Sequence, residues 1–232
     1  MNEEIASDMS ALEIFNDSYR NWLFRGLRDP AWKLETSLER AARRCEKPTK
    51  EYEKQITKEF KRHAHSYMVR VPEFTDELEW LALMQHHGAP TRLLDFTRSF
   101  WIGLYFACEA ADDDCVVWAV DPNSLGRDGR DYNKILRENI VDGKHIDNYL
   151  YYNEPFFTNE RLAIQKGTFV FSLNVQKQFH DLFIKNKKVH KKLIIKKTLF
   201  PGIRRLNDFN CTSRVLFPGI DGYARYFQNH DW

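Results

Sequence analysis

Between Gln85 and Thr97 the chain reads Gln-His-His-Gly-Ala-Pro-Thr-Arg-Leu-Leu-Asp-Phe-Thr, which sets imidazoles, a guanidinium, a carboxylate and hydroxyls beside Leu93, Leu94 and Phe96. Polar groups this dense among apolar ones are costly to bury unpaired, so they must satisfy each other or a ligand, and a polar pocket is expected here. Arg92 and Asp95 can be read as ligand-binding groups or as a buried ion pair that braces the turn. His86 and His87 point to different faces of either a helix or a strand. With no His-Glu-x-x-His or Cys/His framework elsewhere, no metal is expected, and acid–base work is what remains open to the imidazoles.

A second cluster is Trp22-Leu23-Phe24-Arg25-Gly26, where an apolar, strand-like run delivers an arginine. A guanidinium on a rigid strand makes a planar fork for phosphate or carboxylate, and Gly26 permits a sharp turn or the close approach of a ligand. The alternative is an ion pair that fixes the sheet edge. The third cluster runs from Asn159 to Phe169. Glu160 or Gln165 could engage a ribose hydroxyl or steer a nucleophile, and Arg161 could clamp a phosphate; the alternative is a loop held by side-chain hydrogen bonds. The lysine-rich run from Lys185 to Lys197 reads as a solvated edge strand whose lysines deter pairing, or as a nucleic-acid contact.

These clusters need elements to hold them. Thr36 and Glu39 have capping-box spacing and open a helix to about Cys45, and Pro48 suits the first turn of a second helix. In that second helix Tyr52, Ile56, Phe60 and Ala64 fall on one face, while Lys54, Lys58, Lys61 and Arg62 take the others. Asp76 caps a third helix, which Gly88 and Pro90 stop near His86. Ser99 caps an apolar helix from Phe100 to Ala110, followed by a strand over Val116–Val120. Residues 121–160 carry one helix near Tyr132–Ile140 in an otherwise irregular stretch and read as a lid or insertion. Strands are expected over Thr168–Leu173 and Lys191–Lys197 with a helix around Val175–Phe183 between them, and a last helix from about Asp221. Helices that precede and interrupt strands give an α+β fold: a single compact domain, residues 1–232, with helices around a small mixed or antiparallel sheet.

Composition fits that reading. The 232 residues are 43% hydrophobic and 29% charged, and 35 Lys and Arg nearly balance 33 Asp and Glu. A net charge of +2 neither demands nor excludes a nucleic acid. Four cysteines without C-x-x-C spacing read as free thiols of a reducing compartment. The start of the chain has no apolar signal core, and the longest apolar stretch, Phe100–Ala107, is too short to span a bilayer, so a cytoplasmic protein without membrane attachment is expected.

The ordered segments resemble the FRG domain family, named for its Phe-Arg-Gly motif. Phe24-Arg25-Gly26 is followed by Leu34–Ala41, by Gln85–Thr97, by Leu104-Tyr105-Phe106-Ala107, by Arg161, Gln165, Gly167 and Phe169, and by Leu216–Gly222, so the resemblance covers residues 22–227. More distantly, a strand with Arg-Gly, then a Ser/Thr strand and a helix ending in Phe-Ala, is similar to mono-ADP-ribosyltransferases. That similarity implies their fold, with NAD as substrate, and cleavage of the nicotinamide glycosidic bond with ADP-ribose passing to a protein or nucleic-acid acceptor or to water. It implies catalytic roles for Arg25, Thr97 and Glu160 or Gln165, and NAD contacts from Arg25, Asp95 and Thr97; Gly26, His86, Arg92 and Arg161, from the clusters read above, are expected to complete the NAD site. Asp95 stands where those enzymes have the first Ser of a Ser-Thr-Ser motif. A neutral Gln165 in place of their Glu would stabilise a cationic transition state less well. Many such enzymes act as toxins or in phage defence, which implies an antitoxin or defence partner. The rival readings are a non-catalytic nucleotide or nucleic-acid sensing module and, more remotely, a metal-independent ribonuclease using His86 and His87.

Overall fold

A computed structural model describes residues 3–126, 131–154, 160–185, 190–200, 206 and 209–228. In chain order the elements are β1 (Glu3–Ala6), α1 (Met9–Ser18), β2 (Leu23–Leu27), α2 (Ser37–Arg44), α3 (Thr49–Ala64), α4 (Glu77–His86), β3 (Leu94–Thr97), α5 (Phe100–Cys108), β4 (Cys115–Val120), α6 (Tyr132–Asp142), β5 (Leu150–Asn153), α7 (Glu160–Ile164), β6 (Gly167–Ser172), α8 (Phe179–Ile184), β7 (His190–Ile195), α9 (Ser213–Leu216) and α10 (Ile220–Gln228).

Every residue of Cys115–Val120 is buried, so β4 is covered on both faces and lies inside the sheet. The strand order is β1-β7-β4-β2-β3-β6-β5. The β1–β7 pair is parallel and the others are antiparallel, which makes one mixed sheet in an α+β fold. Alternation along the strands divides the core. Phe24, Val117, Ala119 and Leu193 join Phe100 and Leu104 of α5 on one face. Leu23, Phe96, Trp118 and Val170 join Phe179 and Phe183 of α8 on the other.

Local signals set the helix starts. Thr36 Oγ1 accepts from the Glu39 amide at 3.2 Å and Glu39 Oε2 accepts from the Thr36 amide at 2.7 Å, which closes the capping box of α2. Ser99 caps α5. Asp76 occupies the N-cap of α4, but its carboxylate accepts no cap bond; Asn133 of α6 accepts from the Leu78 amide at 2.9 Å instead.

Three sequence expectations are corrected. The lysine-rich strand is not an edge: β7 lies between β1 and β4, because Glu3 and Glu4 of β1 pair with Lys192 and Lys191 and offset the charges that would otherwise repel a neighbour. Residues 186–189 of that run lie outside the described residues. The segment 121–160 is less irregular than expected where it is described, since it supplies β5, an edge strand of the sheet, as well as α6. Tyr132, Leu136, Ile140 and Tyr151 from it are buried with Phe169 and Phe171; residues 127–130 and 155–159 lie outside the description. Finally, α3 buries Glu53, Thr57 and Ala64, leaving Tyr52, Ile56 and Phe60 half-buried. Among the described residues no helix is long and apolar enough to cross a membrane.

Candidate functional site

The sheet parts at its centre. β2 pairs with β4 over five registered residues and β3 pairs with β6 over four, yet β2 and β3 register only at Phe24–Thr97. Where their backbone pairing ends, Arg25 crosses the gap with its side chain: Nη1 donates to the Asp95 carbonyl oxygen at 2.6 Å. A cavity of about 330 Å³ lies there. The end of α4 brings Gln85 and His86 to it, β3 brings Asp95 and Thr97, α5 brings Gly103 and Phe106, and α7 with the start of β6 brings Arg161, Gln165, Gly167 and Phe169.

The site therefore gathers Arg25, Gly26, His86, Asp95, Thr97, Arg161 and Gln165 from separate sequence clusters. Arg25 has an Nε that is buried with no hydrogen-bond partner. Burial pushes its guanidinium below the usual arginine range and the nearby Arg40 adds to this, while Asp95 opposes it. An arginine is nonetheless charged at any working pH, so this is an incompletely satisfied cation at a cavity wall. Asp95 is the one carboxylate among the described residues that line the cavity. Its Oδ1 accepts from Gln85 Nε2 at 2.8 Å, and Gln85 Oε1 in turn accepts from the Thr91 hydroxyl. The Thr91 amide donates to Ser37 Oγ at 3.0 Å, which ties this relay to α2. Within Gln85–Thr97, Gln85 and Thr91 thus serve to orient a single carboxylate.

Several expectations change with the geometry. Arg92 is not at the pocket and does not pair with Asp95. It is about 2% exposed, its guanidinium donates to both oxygens of Glu53, and Nη1 donates to Asn139 Oδ1 and to the Ser172 carbonyl. Glu160 is also outside: it is the exposed first residue of α7, whose positions 161 and 162, with Gln165 just after the helix, line the cavity. Thr97 cannot act through its hydroxyl proton, because Oγ1 donates to the Gln165 carbonyl at 2.7 Å while accepting from the Ser99 amide at 3.1 Å. It is a clamp joining β3 to the start of β6. Gly26 lines the cavity, but its missing side chain serves α5: a Cβ there would lie 2.1 Å from the Gly103 carbonyl oxygen and 2.4 Å from the Ala107 nitrogen.

Gln85 is the site residue that sequence reasoning quoted but did not single out. The available signal was its position at the end of a helix beside His86. His86 sits at the cavity with its pKa below the ordinary histidine value, first through partial burial and then through His87 and Arg161. The C-terminal segment holds the far wall. Leu216 accepts from Gln165 Nε2 at 2.8 Å, and the Phe217 ring carries the guanidinium of Arg161 at 4.7 Å and that of Arg225 at 4.6 Å. Among the described residues no cluster of three or more His, Cys, Asp or Glu could hold a metal ion.

Fold and site together define an α+β protein with a basic, aromatic-walled pocket where the central sheet parts. The chain carries an FRG domain: residues 20–115 match that family. The match takes in Arg25, Gln85 and Asp95, and the later segments around Arg161–Phe169 and Leu216–Gly222 lie beyond it. No curated protein and no solved structure matches the chain.

Proposed function

We propose that the pocket binds NAD and cleaves its nicotinamide N-glycosidic bond, with ADP-ribose passing to water or to a protein or nucleic-acid acceptor, in the manner of an ADP-ribosyltransferase. The observation that carries this reading is the juxtaposition of Arg25, a half-buried cation whose Nε is buried and unpartnered, and Asp95, a carboxylate held in place by Gln85. Phosphate oxygens supply the acceptors that Arg25 lacks, and Arg161 offers a second guanidinium for the same pyrophosphate. Phe106, half-buried at the cavity, gives the nicotinamide ring aromatic surface.

In the bond-breaking step the C1′–N bond gives its electron pair to the pyridinium, which leaves as neutral nicotinamide and needs no proton. Positive charge grows on the ribose, where a fixed carboxylate stabilises it most, and this is the role for Asp95. The nucleophile adds to C1′ and loses its proton to Asp95 or to solvent. Gln165 keeps only an orienting role, and a toxin or phage-defence effector in the cytoplasm with an antitoxin or defence partner belongs to the same reading. The free thiols are consistent with that compartment.

A second reading is a nucleotide-sensing module without chemistry. It is favoured by the Thr97 hydroxyl and the Gln165 amide both being committed to protein partners. NAD labelled on its adenine side, with free nicotinamide and bound label both followed, separates the two. Cleavage by the wild type that falls about 100-fold or more in Asp95→Asn with NAD still bound supports the enzyme. NAD bound without nicotinamide release across candidate acceptors supports the sensor, and absence of binding removes both.

A further inference from the structure

Away from the sheet, α3 and α6 flank a groove of about 660 Å³, within the size range of small-molecule sites. Its acids are spoken for. Glu77 pairs with Lys61 at 2.6 Å, Glu138 with His145 at 2.6 Å and Asp142 with Lys144 at 3.4 Å. Three of its cations are not: Lys58, Arg62 and Arg137 line the groove with no hydrogen-bond or ion-pair partner among the described residues. Lys54, which donates to the Val141 carbonyl at 2.6 Å, precedes Lys58 and Arg62 at intervals of four, so three like charges stack along one side of α3 and repel one another unless an anion lies over them.

An independent feature points the same way. Thr57 lines this groove and is about 4% exposed, yet its hydroxyl is buried with no hydrogen-bond partner. A helical threonine ordinarily donates to the carbonyl four residues back; an orphaned hydroxyl costs stability, which an incoming acceptor would recover. At the rim Phe74 is 71% exposed, with Lys61 Nζ 5.2 Å from its ring centroid. An aromatic ring left this open beside a basic groove offers a face for a planar group.

We propose that the groove is a second binding site, for a nucleoside triphosphate, with the phosphates over Lys58, Arg62 and Arg137 and the base against Phe74. The site is distinct from the pocket at Arg25, although α4 reaches both, starting at Glu77 in the groove and ending at Gln85 and His86 in the pocket. The test is fluorescence titration with N-methylanthraniloyl-ATP on the full chain carrying Arg25→Ala, so that the first pocket is disabled. Saturable binding is expected there, weakening about tenfold or more when Lys58→Ala and Arg62→Ala are added. Thr57→Val is expected to weaken binding while raising the Tm of the free protein by about 2–4 °C, a pair of changes that a merely structural threonine would not give. Absence of saturable binding, or binding that the lysine and arginine substitutions leave unchanged, overturns the proposal. Inorganic triphosphate competing as well as ATP overturns the assignment to a nucleotide.

Discussion

Arg92 and Glu53 meet in the interior as a two-pronged ion pair, Nε donating to Oε1 at 2.6 Å and Nη2 to Oε2, with each side chain about 2% exposed. Removing one partner strands the other charge in an apolar interior, and such losses cost about 3–5 kcal/mol. Arg92→Met and Glu53→Met are each expected to lower stability by that order in urea denaturation, and the double variant to recover most of it. The double variant should bind nucleotide as the wild type does. Loss of binding in a double variant that still folds would return Arg92 to the site.

That pair also shows where the sequence was legible and where it was not. Thr36–Glu39 and Ser99 were readable because cap and capped amide lie within three residues. The strand order was not, because β1 is four residues long and half acidic, and its partner lies at the far end of the chain. The burial of Glu53 was not legible, since only Arg92, 39 positions away, gives a carboxylate on a lysine-rich helix a reason to be buried. The pocket's residues were mostly recognisable as polar groups in apolar company. Which of them remain available was hidden, because the Thr97 hydroxyl and Gln165 amide are occupied by backbone carbonyls 68 and 51 positions distant.

Arg25 tests the parted sheet directly. A lysine in its place carries charge but has no planar fork to hold the Asp95 carbonyl and a phosphate together. Arg25→Lys is expected to lose about 1.5–3 kcal/mol of ADP-ribose affinity, roughly 10- to 150-fold, measured by calorimetric titration. Affinity within error of the wild type would mean that the phosphate lies elsewhere.

Gly26 separates a packing requirement from a ligand requirement. A Cβ at this position meets the backbone of α5 on two sides, at Gly103 and Ala107, and backbone cannot swing away as a side chain can. Gly26→Ala is expected to cost about 1–3 kcal/mol or more, which for a chain this size lowers Tm by several degrees. Faster amide exchange should be confined at first to α5, and nucleotide binding should weaken because Phe106 moves with that helix. An unchanged Tm with weakened binding would show instead that Gly26 faces the ligand.

His86 gives the site a pH signature whose sign follows from its surroundings. Its pKa in the folded chain is below the ordinary value of about 6.5, because partial burial disfavours the imidazolium and His87 and Arg161 repel it. The unfolded chain therefore takes up this proton first as pH falls. The stability that neutral His86 contributes is fully present above about pH 6.5 and is lost as pH falls from there through the folded pKa. A phosphate bound near Arg161 would reverse the penalty by pairing with the imidazolium, so binding takes up a proton and tightens as pH falls below about 6.5. Proton NMR of the His86 ring should show a low pKa in the free protein that rises on addition of ADP-ribose, and His86→Asn should flatten the pH dependence of affinity between about pH 5 and 7. A His86 that titrates normally in the free protein, or whose pKa stays fixed on binding, would place the phosphate out of its reach and leave Arg25 as the principal anchor.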